Sequence, residues 1–206
     1  MLELDIVNLY EKEIMKSFSI NEIARALNKA YPNIHAKVTD MISRDIFTKQ
    51  VVGRSNLCTI NLDNEEAKAL LFLNKASNPK YKKARSSPEL KTIIERIKKL
   101  SEEKRIISVL VHEEKNKGKE IIVIIDEKEN EKEIKKNIRQ ELGILNLSLF
   151  SKKLFLQNCL NNSSLLLNND LIFGYENFYS ILAENFVVLK ANYDRQNSLN
   201  KEEVSK

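Results

Sequence analysis

The chain is poor in the residues on which most recognisable chemistries depend. Its 206 residues include no tryptophan, two cysteines, two histidines, three prolines and four glycines. Gly118 stands alone where a phosphate-cradling loop would need several glycines, so no such loop is legible. Cys58 and Cys159 are far apart and belong to no Cys-x-x-Cys or Cys/His cluster, which gives no support to a structural metal site or a disulfide framework and fits a reducing cytoplasm. His35, near a helix start, reads as a capping or surface residue, and His112 is likewise alone. No Ser/His/Asp or Cys/His catalytic grouping can be assembled from them. Apolar runs of the roughly 18 residues that a spanning helix needs are also missing, and MLELDIVNLYEKEIM lacks a basic start followed by a long apolar core. The expectation is a cytoplasmic protein with no membrane contact.

What is present is an ordinary globular composition, 42% hydrophobic and 31% charged. Between Ser77 and Pro88 the stretch SNPKYKKARSSP loses apolar periodicity and collects Pro, Ser and cations, which places a linker at 78–87 between a domain at 1–77 and a second at 88–190. The polar stretch NYDRQNSLNKEEVSK reads as a flexible tail over 191–206. The net charge of +5 is unevenly spread: residues 1–87 hold 14 basic and 10 acidic side chains, residues 88–206 hold 20 and 19. A basic excess in the N-terminal part is the weak footprint of a polyanion partner.

Ser19 before INEIARALNKA, with Glu22 three residues later, forms a capping box for a short helix whose Ile20, Ile23, Ala24 and Leu27 share a face. After the break YPN, IHAKVTDMISRDIF puts Ile34, Val38, Met41 and Ile42 on one stripe of a second helix and turns a polar face outward. This is the helix-turn-helix layout that lays a helix in a major groove, and the alternative is a helical hairpin that merely packs. The β-prone runs FTKQVV and LCTINLD flank GRSN, a hairpin turn with a cation at its tip. Asp63 and Glu66 then form a second capping box for a closing helix with Ala67, Leu70, Leu71 and Asn74 on one face. The string VVGRSNLCTINLDNEEAKALL resembles the wing and final helix of archaeal winged helix-turn-helix regulators, over roughly residues 18–75. The resemblance implies that Lys37, Thr39, Asp40, Ser43 and Arg44 reach base edges or phosphates of double-stranded DNA, and that Lys49, Arg54 and Asn56 touch the backbone from the wing. Asp40 repels phosphate and favours a protein partner instead.

From Glu89 to Phe150 the pattern is helix, strand, strand, helix, strand: PELKTIIERIKKLSEEK, RIISVLVH, KEIIVIID, ENEKEIKKNIRQELG and ILNLSLF, followed by amphipathic SKKLFLQNCLNN and YENFYSILAENF. Helices covering one face of a small mixed sheet are expected, so the fold class is α+β. The order and the ending resemble the small nucleotidyltransferase-like domains that follow winged helices in archaeal proteins, over roughly residues 89–186. Active members carry a Gly-Ser turn after the first strand and two acids at alternate positions of the second. Here HEEKNKGKE has no Gly-Ser, and Glu120 could match the first acid but Ile122 stands at the second. Asp126 lies too far along to replace it.

The leading expectation is a DNA-binding transcription regulator with an inactive nucleotidyltransferase-like domain, and with no catalytic residue, metal or cofactor. Homodimerisation is expected through the apolar SLLLNNDLIF, because a winged helix gains affinity from paired half-sites. A protein-interaction subunit is the alternative, and an active nucleotidyltransferase the third reading.

Overall fold

A computed structural model describes residues 2–53, 55–77, 88–104, 106–114, 118–126, 136, 140, 146–166 and 169–204. Of the expected helix over 129–143 only residues 136 and 140 are described, both helical, and Arg54 lies outside the described residues. The chain forms a mixed α+β fold in two units. One comprises residues 1–76 together with 182–206, the other residues 77–181. That division departs from boundaries at 77 and 190, and the stretch expected as a tail continues a helix to Val204.

The first unit begins with α1 (Leu2–Lys12), which the sequence reading left unassigned. Its Ile6, Val7 and Tyr10 are fully buried. The two-residue strand β1 (Phe18–Ser19) runs into α2 (Ile20–Ala26), where the Ser19 and Glu22 capping box forms as expected. α3 spans Tyr31–Ser43 and buries Ile34, Val38 and Met41. It starts three residues before the expected point, because a proline in the first turn gives up an N–H that has no helical partner anyway, so Pro32 begins the helix instead of breaking it. It ends where Asp45 takes a left-handed φ of 58°. The Ile46 and Asp45 amides close back on the Met41 and Ile42 carbonyls, each at 3.0 Å.

β2 (Phe47–Val52) and β3 (Ser55–Ile60) pair antiparallel from Phe47↔Ile60 to Val52↔Ser55, leaving Gly53 and Arg54 between them. Gly53 has a φ of 58°, which a two-residue hairpin turn requires. β1 joins the free edge of β3, giving the order β1-β3-β2. The Tyr10 ring lies 4.7 Å from Phe47 at a tilt and meets Phe18 edge-on at 5.0 Å, and its hydroxyl donates to the Cys58 carbonyl at 2.9 Å. α4 (Glu65–Ser77) buries Ala67, Leu70, Leu71 and Asn74, the expected face. Its cap is Asn64, whose side-chain oxygen accepts the Ala67 amide at 2.9 Å, and not Asp63. Later in the chain α8 (Phe186–Val204) belongs to this unit, with Leu189 and Tyr193 buried and Lys190 donating to the Met15 carbonyl at 3.0 Å.

The second unit contains α5 (Pro88–Lys104), β4 (Ile106–Glu114), β5 (Gly118–Ile125), β6 (Leu147–Ser151), α6 (Lys152–Asn161), a 3-10 turn (Ser163–Leu166), β7 (Asn169–Phe173) and the start of α7 (Tyr175–Glu184). Among the described residues the sheet runs β6-β5-β4-β7, with β5 and β6 parallel and the other pairs antiparallel. Ile122, Val123, Ile124 and Ile125 are all fully buried, so both faces of β5 are covered, where one was expected. One core layer gathers Val109, Val123, Ile125, Leu147 and Leu149 with Ile97 of α5. Leu171 and Ile172 are buried in β7, so the run SLLLNNDLIF, expected as a free dimer surface, is largely used inside the unit.

Candidate nucleic-acid interface

Helical geometry divides the expected contact residues of α3 into two sets. Opposite the buried stripe lie Ala36, Thr39 and Ser43, all exposed and uncharged. The Ser43 hydroxyl bends back to donate to the Asp40 carbonyl at 2.7 Å. Lys37 and Arg44 lie on the flank. Lys37 Nζ is 3.1 Å from Glu3 Oε1 and 3.3 Å from Asp40 Oδ2. Arg44 is 2.6 Å from the same Glu3 oxygen, 2.8 Å from Glu66 Oε1 and 3.6 Å from Asp40 Oδ2.

Two cations thus meet three carboxylates contributed by α1, α3 and α4. Partial burial pushes the Glu3 pKa up, but the hydrogen bond from Lys37 and the charges of Arg44 and Lys37 outweigh it and hold the carboxyl below its ordinary range. The Lys37 ammonium is shifted upward, chiefly by its hydrogen bonds to Glu3 and Asp40. Arg44 Nε is buried without a partner. A guanidinium held this way has to abandon three carboxylates before it can meet a phosphate or a guanine edge. In the expected roles on DNA, Lys37 and Arg44 would exchange these carboxylates for phosphates or base edges. Asp40, exposed on α3, belongs to an ion network whose hub is Arg44 and is not a lone acid in a groove.

The wing differs. Thr48, Lys49, Gln50, Val51 and Val52 are exposed along β2, and Lys49 forms no ion pair among the described residues. Asn56 of β3 is half-buried in a small polar groove with Asn21, Tyr31 and Ser55. The sequence reading passed over Arg25 and Lys29, exposed cations without an ion pair among the described residues. Lys29 stands in the turn before α3, so its place between two periodic stretches was a usable signal.

Charge counted by unit also moves. The first unit holds 14 basic and 14 acidic residues, and the second holds 20 and 15, so the whole +5 belongs to residues 77–181. The excess assigned to residues 1–87 comes from Lys80, Lys82, Lys83 and Arg85, which lie beyond the first unit and outside the described residues.

In the second unit Ile122, where the resemblance requires a second acid, is fully buried. Glu120 accepts a hydrogen bond from the Ser148 hydroxyl. His112 is not alone. It pairs with Glu120 across β5 and with Asn169 across β7, and its Nδ1 is 2.8 Å from Asn169 Oδ1. The Asn169 amide nitrogen donates to the Leu165 carbonyl, so its oxygen faces the ring and the Nδ1 proton belongs to that bond. Asn169, His112, Glu120 and Ser148 form a polar row across four strands, drawn from residues too distant in sequence to be grouped beforehand. Among the described residues no three His, Cys, Asp or Glu side chains come together as metal ligands would. No helix among them is long and apolar enough to cross a membrane. No family model matches the chain, nor does any curated protein or solved structure.

Proposed function

We propose that the first unit is a winged helix-turn-helix module that binds double-stranded DNA through base edges more than through phosphates, joined to a nucleotidyltransferase-like domain that acts as a dimerisation or effector module without catalysis. The observation that carries this is the exposed, uncharged stripe of Thr39 and Ser43 on α3, together with a hairpin whose β2 residues after Phe47 are all exposed. Helix, strand, two helices and a hairpin in the order β1-β3-β2 support the winged reading. The order of elements from α5 to α6 and the single acid Glu120 support the degenerate one. Homodimerisation rests on paired half-sites alone, since the apolar run first assigned to it is largely internal.

Fluorescence anisotropy on a selected duplex tests the DNA reading. Thr39→Ala should cost roughly 1–3 kcal/mol on the preferred site and little on random sequence. Lys49→Ala should weaken both by a similar factor. Absence of binding below high micromolar at low salt would remove DNA as the ligand. The second reading, a protein partner for α3, is favoured by the ion network on its flank, which carries one net negative charge and suits a basic surface.

A further inference from the structure

A cleft of about 510 Å³ opens within the first unit, away from α3. Its walls come from the link between α1 and β1, from Gln50 and Leu57 of the hairpin, and from Tyr193 and Asp194 of α8. The volume lies in the range of small-molecule sites.

The lining holds three carboxylates, Glu13, Glu22 and Asp194, and two ammonium groups, Lys16 and Lys190. Both ammonium groups are spent on the protein. Lys190 directs its N–H groups to the Met15 carbonyl at 3.0 Å and to the two Asp194 oxygens at 3.1 and 2.9 Å. Lys16 pairs with Glu13 Oε2 at 2.7 Å and lies 4.7 Å over the Phe18 ring. The carboxylates are only partly used. Glu22 receives the Ser19 amide and hydroxyl on Oε2, at 2.7 and 2.8 Å, and its Oε1 accepts no hydrogen bond among the described residues. Glu13 Oε1 is in the same position. Among the charged side chains of this cleft the unused valence is therefore mostly acceptor, and the lining carries one net negative charge. Anions are repelled, whereas a cation with N–H donors finds both charge and partners.

We propose that this cleft binds a small aliphatic amine as its ammonium ion, with N–H groups on the free oxygens of Glu13 and Glu22 and its carbon chain against Leu57. The site is independent of whether α3 meets DNA. Calorimetry on the full chain, with 1,4-diaminobutane as probe and butane-1,4-diol and succinate as its uncharged and anionic counterparts, tests it. The diamine should bind with Kd below about 1 mM and the other two at least about tenfold more weakly. Glu13→Gln should weaken the diamine about tenfold without lowering the melting temperature appreciably, while Asp63→Asn, outside the cleft, should leave affinity unchanged. Equal binding of the diol, no heat with the diamine, or the same loss in Glu13→Gln and Asp63→Asn would overturn the site.

Discussion

Arg44 holds three carboxylates around one guanidinium, and its removal would leave Glu3 and Asp40 with Lys37 alone and Glu66 without its cation. Arg44→Ala should cost about 1 kcal/mol of stability at pH 7, the scale of a partly exposed ion network, and should change DNA affinity little. Glu3 gives the effect a pH signature. A carboxyl whose pKa is lowered on folding contributes stability that is present above its unfolded value and lost as pH falls through the folded one. The Arg44→Ala penalty should therefore be full at pH 7 and shrink below the ordinary 4.5, as urea titrations at a series of pH values would show. Gly174 is a second decisive position. Its φ is +71°, and an added Cβ would lie 2.1 Å from the Ile107 carbonyl oxygen and 2.9 Å from the Ser108 Cα. Both neighbours are backbone and cannot swing aside, so Gly174→Ala should cost about 3 kcal/mol or more by denaturant unfolding. Cys159 is sealed in its core, and burial pushes its thiol to about 12, so it should resist a thiol reagent until the protein unfolds. The ties of Arg44 were not legible in the sequence. Glu3 stands 41 positions away, and helical periodicity tells which face is apolar without telling what lies along the flanks.

At the scale of elements, α8 shows what a buried pair can do for a polar helix. Leu189 and Tyr193 are 2% and 6% exposed, while the helix around them is charged and asparagine-rich. Leu189→Ala should destabilise by roughly 2–4 kcal/mol, seen as a lower denaturant midpoint with an unchanged slope. The sparse apolar spacing of that stretch is why composition reads it as a tail. α2, with its capping box, and α5, with its continuous periodicity, were legible. α1 was not pursued, and β1 could not be found from local pattern, since two residues become a strand only by pairing with Cys58 and Leu57. β7 was hidden for a similar reason. Asn169 and Asp170 open an apolar run that looks like a loose surface until β4 supplies its partner.

Across the whole molecule, charge and shape are divided between the units. The first unit has equal numbers of acidic and basic residues, and the other carries all of the net +5. The exposed cations without an ion pair among the described residues of the stretch 1–76 are Arg25, Lys29 and Lys49, so a plot of log affinity against log salt should have a slope no steeper than about −3, three contacts at roughly 0.9 each. A slope near −4 would assign binding to the cations of residues 77–181. The division has another outcome, because the first unit is assembled from two stretches with the second inserted between them. During synthesis from the N-terminus, α1 to α4 emerge first, but Leu189 and Tyr193 follow only after the intervening 105 residues of the second unit have been made. For that interval the Met15 carbonyl lacks its Lys190 partner and the apolar surface that α8 will cover waits in water. A nascent chain of this architecture should be exposed to proteolysis and to chaperone capture until its final helix arrives, so its vulnerable window is set by translation speed and not by the intrinsic folding rate of its core.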